Sequence, residues 1–171
     1  MAKWNLDKAH SELEFKVKHM MISNVKGAFL DFDVKVDGNA ENLTAAHVDV
    51  EIKTASVNTK SESRDEHLRG ADFFNSENYP EAQFVVTAIN KGSNGTYRIT
   101  GDLTIKGITH AVGFDAQVSR AADTVSATGK VVVDRTKYGM RFRSGNFFKD
   151  LGDTLIYNDF DLNVNITAKA V

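Results

Sequence analysis

Thr96-Tyr97-Arg98-Ile99-Thr100-Gly101-Asp102-Leu103-Thr104-Ile105, followed by Lys106-Gly107 and then His110-Ala111-Val112-Gly113-Phe114-Asp115-Ala116-Gln117-Val118, is the stretch that decides the fold. In the first run Tyr97, Ile99, Leu103 and Ile105 share one parity, and Arg98, Thr100, Asp102 and Thr104 share the other. Successive side chains of a strand point to opposite faces, so a period of two reads as a strand with one apolar and one wet face. Lys106-Gly107 precedes a short reversal, and the second run repeats the pattern with Val112, Phe114, Ala116 and Val118. Two such runs joined by a tight turn make an antiparallel hairpin.

The same alternation recurs outward in both directions. Residues 11–19 set Leu13, Phe15 and Val17 against Glu12, Glu14, Lys16 and Lys18. Residues 27–36 set Leu30, Phe32, Val34 and Val36 against Asp31, Asp33 and Lys35, and residues 47–54 set Val48, Val50 and Ile52 against Asp49, Glu51 and Lys53. Residues 125–133 and 155–169 continue it, and residues 83–89 are apolar on both parities. That makes eight strands. Asp37-Gly38 and Asn94-Gly95 accept positive φ and mark hairpins. Residues 61–70 break the rhythm: a serine before acidic residues and a closing glycine predict a short helix.

Eight alternating strands with one polar face point to a barrel or a two-sheet sandwich, since both protect strand edges. An outer-membrane barrel has similar strands, but its apolar face points outward. The crowded charged face and the helical insertion argue against that arrangement, and no aromatic girdle marks the strand ends. The chain of 171 residues suits one domain over 1–171 and can bury a sizeable core without staples. With 21 basic and 23 acidic residues, the net charge of -2 supplies no polybasic footprint for nucleic acid. No cysteine is present, which removes thiol catalysis and disulfides. No apolar run reaches the length of a membrane-spanning helix, so no stable membrane insertion is expected. The start carries no apolar signal segment, so the chain as given reads as cytoplasmic, or as periplasmic if a signal was removed.

Several blocks, in order, carry a resemblance. They begin with Trp4-Asn5-Leu6-Asp7, His10-Ser11, Phe15-Lys16-Val17-Lys18-His19 and Val25-Lys26-Gly27-Ala28-Phe29. Arg64-Asp65-Glu66-His67-Leu68-Arg69 with Asp72-Phe73-Phe74 follows, then Gly101 to His110, then Asp134-Arg135 with Tyr138-Gly139-Met140. Together they resemble the YceI-like, lipocalin-like bacterial proteins. The resemblance implies an extended eight-stranded antiparallel barrel, with a short helix between the third strand and the fourth or fifth. It also implies a tunnel that takes a polyisoprenoid or similar long amphiphile. It supplies no contact residue, so the lining must come from strand parity.

Parity places Phe15, Val17, His19, Phe32, Phe114, Ala116, Ala127 and Phe160 on the tunnel side, and Phe84, from the stretch that is apolar on both parities, is counted with them. Gly101, Ala116, Ala127, Gly129 and Ala168 are small and leave room there unless larger neighbours fill it. Phe73-Phe74 and Phe147-Phe148 lie in connections, where they either plug a barrel end or line an entrance. Arg64 and His67 are three apart and share a helix face, which suits either a cationic mouth for a polar head group or a salt-bridged capping helix. Arg135, Arg141 and Arg143 carry the same two readings, and Arg141 and Arg143 alternate with Phe142 as an edge strand would. The five histidines show no His-x-His or His-x-x-His spacing, so no metal site is expected. No nucleophile elbow, triad or carboxylate pair is recognisable, so neither an enzyme nor a catalytic cofactor is expected. The functional expectation is binding, storage or transport of a long-chain amphiphile, such as an isoprenoid quinone or its precursor. The alternative is a packed barrel that acts as a stress-related interaction protein or homodimer without bound lipid.

Overall fold

In the computed structural model, which describes residues 3–19, 23–39, 42–149, 151 and 155–170, the strands follow one another around a closed ring. Strand β1 has two segments, Lys3–Leu6 and Glu12–His19, and β2 also has two, Ser23–Phe29 and Phe32–Asn39. Strand β3 spans Asn42–Lys53 and resumes after a 3-10 turn as Val57–Asn58. Then come β4 (Glu81–Lys91), β5 (Thr96–Ile105), β6 (Ile108–Ala121), β7 (Thr124–Asp134) and β8 (Ile156–Ala170). Each pairs antiparallel with the next, and β8 returns to β1. Among the described residues this is a closed eight-stranded antiparallel barrel with one short helix, α1 (Glu62–Arg69), between β3 and β4.

The alternation seen in the sequence becomes inside and outside. Leu13, Phe15, Phe32, Val34, Phe114 and Ala116 are buried, while Glu14, Asp33 and Asp115 are exposed and Lys16 is half-buried. The break in β1 is stitched across β8: Asp7 N donates to Thr167 O at 2.8 Å, and Thr167 N donates to Ser11 Oγ at 2.9 Å. At the β5–β6 turn both Lys106 (φ 55°) and Gly107 (φ 74°) lie in the left-handed region, as a type I′ hairpin requires. Asp37-Gly38, expected as a turn, lies inside β2. Gly38 marks a bulge between the pairs Asp37↔His47 and Asn39↔Asn42, the other common use of a strand glycine.

Three of the barrel glycines serve packing. A Cβ added at Gly27 would lie 2.6 Å from the ring of Phe15, its direct cross-strand partner. At Gly101 it would meet the Phe84 ring at 2.7 Å, and at Gly129 the Phe114 ring at 2.8 Å. At Gly101 and Gly129 larger neighbours do fill the room: the missing side chains let the Phe84 and Phe114 rings close on the backbone. Fully burying a ring of this size is worth about 1.5–3 kcal/mol. The buried core, including Phe15, Phe29, Phe32, Ile105, Val133 and Met140, runs through the waist toward the helix end.

Candidate functional site

Two cavities occupy the barrel axis. The first, about 180 Å³, lies in the half opposite α1. Its wall carries Val36, Val48, Ile99, Val112, Val118, Val125 and Ile166, with Phe84, Phe114, Ala116 and Ala127 from the parity set. Among the described residues no charged side chain lines it. The indole N–H of Trp4, one of its few polar groups, donates to Gly38 O at 3.2 Å. A cavity with so few unsatisfied polar partners is a dry one.

The second cavity, about 280 Å³, lies at the helix end. Phe15, Val17, Phe73, Phe74, Phe142, Ile156 and Phe160 supply its apolar wall, and Arg64, His67, Arg135 and Arg143 its polar one. A packed layer separates the two. Strand by strand, the boundary falls between Leu13 and Phe15 on β1, between Val131 and Arg135 at the end of β7, and between Phe160 and Leu162 on β8. Phe32 is buried in this layer and lines neither cavity. Val17 and Phe160 are only half-buried because they face the second cavity.

Local chemistry holds the cationic wall in place. Ser61 caps α1, and Asp65, buried on its first turn, accepts from Thr59 N at 2.8 Å and from Thr59 Oγ1 at 2.6 Å. Arg64 Nε then donates to Thr59 Oγ1 at 2.9 Å and its Nη2 to Thr59 O at 3.1 Å. His67 contacts Asp72 at 2.8 Å and stands edge-on to Phe73 and Phe142, with centroids 5.1 and 4.7 Å away. Arg143 stacks over Phe142 at 4.9 Å.

Arg135 is the deepest cation, 3% exposed. Its three nitrogens donate to Tyr157 O at 3.0 Å, Met140 O at 2.7 Å and Ile156 O at 3.0 Å. Its described partners are neutral carbonyls. Burial pushes the guanidinium down to about 10, still charged at neutral pH. No carboxylate is among the described residues of this wall, although Asp72 pairs with His67, so the guanidinium groups of Arg64, Arg135 and Arg143 stand beside an apolar surface. Such a surface suits an oxygen-rich head group.

Of the remaining parity and loop residues, His19 has a side chain outside the described ones. Arg141 lies over the Phe147 ring at 4.5 Å and lines neither cavity. Phe147 and Phe148 are exposed, so neither plugs the barrel nor lines a cavity. Arg143, one of the expected basic residues, lines the second cavity, and so does Phe142, which was expected only as its neighbour on an edge strand. They sit in an irregular connection, where no period marks which side chain turns inward.

The sequence profile of the YceI-like domain matches residues 4–168. A UPF0312 protein of Staphylococcus epidermidis is 40% identical over 149 residues, covering 83% of this chain and 84% of that one. The crystal structure of Burkholderia cenocepacia BcnA superposes with a TM-score of 0.85 at 24% identity, covering 96% of this chain and all (100%) of that one. A polyisoprenoid binding domain from Saccharophagus degradans, implicated in plant cell wall breakdown, superposes with a TM-score of 0.80 at 16% identity over 100% of both chains. The two structures share the barrel.

Proposed function

The chain belongs to the YceI-like family, and on that premise we propose that its barrel binds, stores or carries a long-chain amphiphile, a polyisoprenoid or an isoprenoid quinone or its precursor. The observation that carries this reading is the dry cavity of about 180 Å³, uncharged throughout its described wall. A hydrocarbon tail moved there from water gains about 0.8 kcal/mol per buried CH₂, without any specific contact. The cavity of about 280 Å³ with its four basic side chains would take the head group and so set the tail's direction. The polyisoprenoid binding described for the Saccharophagus degradans domain is consistent with such a cargo.

A tail anchored at the cationic end reaches the dry cavity only through the packed layer around Phe15, Phe32 and Phe160, so loading requires side-chain rotation there. That same layer favours a second reading, a packed barrel acting as an interaction protein without lipid. Organic extraction of the purified protein, followed by mass spectrometry, decides between them. The expected result is a long-chain amphiphile in near-stoichiometric amount. An extract free of lipid, from protein that also fails to take up added polyprenol, overturns the proposal.

A further inference from the structure

Phe147 and Phe148 each keep 48% of their surface exposed. Other exposed large apolar residues, among them Leu30, Val85 and Val132, occur singly along the chain, and scattered apolar residues on a surface are ordinary. An adjacent pair of bare aromatic rings is different, and here it is held in place. Phe147 N and Phe148 N both donate to Ser144 O, at 3.1 and 3.0 Å. Ser144 is completely buried (0% exposed), and its Oγ donates to Asn158 Oδ1 of β8 at 2.5 Å while accepting from Asn146 N at 3.3 Å. The rings therefore stand on a turn whose base is pinned to the barrel.

Basic residues flank them in the chain. Arg141, Arg143 and Lys149 are all exposed, and the Arg141 guanidinium lies 4.5 Å from the centre of the Phe147 ring. Residues 141–149 hold three basic side chains and no acidic one, ahead of Asp150 and Asp153, in a chain of net charge -2. The same connection also supplies Phe142 and Arg143 to the wall of the cationic cavity. Exposed rings beside cations match the membrane interface, where aromatic rings settle at head-group depth and basic residues meet anionic phosphates.

We propose that the Phe147–Phe148 turn is a membrane-docking tip: it seats on an anionic bilayer surface, with both rings at the interface and Arg141 and Lys149 against lipid phosphates. Docking there sets the cationic cavity beside the source or destination of a lipid cargo, without inserting the barrel.

The test is co-sedimentation of the purified protein with vesicles of phosphatidylcholine alone, or of phosphatidylcholine mixed with phosphatidylglycerol. Sedimentation with the mixed vesicles, weakened by salt, is expected. Phe147→Ser with Phe148→Ser should lower partitioning at least tenfold. Arg141→Gln with Lys149→Gln should lower it roughly 25-fold on anionic vesicles, about fivefold per charge, and leave neutral vesicles unchanged. In a Phe147→Trp variant, the added indole emission should shift to the blue and be quenched by brominated lipid. Wild-type protein that stays in the supernatant overturns the proposal, and so does a folded serine variant that sediments like wild type, or an indole untouched by brominated lipid. Vesicle binding is read independently of any extracted cargo, so a lipid-free extract would remove the cavity proposal and leave this one standing.

Discussion

Ala127→Phe tests the dry cavity most directly. Ala127 lies on β7 between Val118 of β6 and Ile166 of β8, and all three side chains line the cavity of about 180 Å³. An apolar cavity of about 150 Å³ is known to admit benzene, so the space accepts one phenyl ring. In an empty or lipid-filled cavity the new ring is buried without displacing protein. Its transfer gain of about 1.5–3 kcal/mol is partly offset by lost rotamer freedom, so stability should hold or rise slightly. In a packed core the same change would cost about 1–3 kcal/mol. For a ligand the sign reverses. The ring takes the place of roughly six chain carbons, and at about 0.8 kcal/mol each the tail loses about 5 kcal/mol, more than a thousandfold in affinity. Urea unfolding reads the stability, and mass spectrometry of organic extracts reads the cargo. Undiminished lipid in a well-folded Ala127→Phe variant would refute the placement of the tail.

Arg135→Met strips the guanidinium from three carbonyls while relieving the burial of an unpaired charge, and the net should be a loss of about 2–4 kcal/mol in urea unfolding. Unchanged unfolding would show that those carbonyls find other donors. Asp65→Ala leaves the buried Thr59 amide and hydroxyl without their acceptor and should cost about 2–4 kcal/mol by the same assay. The hydrogen bond from His10, with help from Lys169, holds the Asp7 carboxyl below its ordinary value of 3.8. A lowered carboxylate stabilises the fold above its unfolded value, and that contribution fades as pH falls through the folded one. The stability difference between wild type and Asp7→Asn should therefore be constant above about pH 5 and shrink below about pH 4. A difference that grows on acidification would contradict it.

The barrel was legible because its signal is local. Alternation in 11–19, 96–105 and 110–118 is a property of neighbouring residues, and the pleat converts it directly into inside and outside. Helix α1 was legible for the same reason: Ser61 accepts from Arg64 N and Gly70 N closes on His67 O, so the start and stop residues act within one turn of themselves. Gly38 marks where that logic stops. A glycine after aspartate accepts a turn or a bulge equally well, and the choice between them is made by β3, whose Ala46 Cβ would lie 2.7 Å from any Cβ at position 38. The facing strand of the hairpin decided what the dipeptide could not.

The site was legible only where it lies on strands. Parity found Phe114, Ala116 and Ala127 for the dry cavity, and Phe15, Val17 and Phe160 for the cationic one, while Phe84 lay in a stretch whose parity could not assign a face. It could not tell open space from filled space, because Gly129 and Ala127 share a parity while one is covered by the Phe114 ring and the other faces the cavity. That difference depends on a rotamer across the sheet, not on the residue itself. In the connection after β7 there is no period at all. Arg141, Phe142 and Arg143 are consecutive, yet Phe142 and Arg143 line the cationic cavity and Arg141 leans over Phe147 outside it. What sorts them is the turn fixed by buried Ser144 on Asn158, a contact made across 14 residues of sequence. The same contact turns Phe147 and Phe148 outward. One serine hydroxyl, unremarkable as a letter, thus separates the residues that would hold a cargo from those that would meet a membrane.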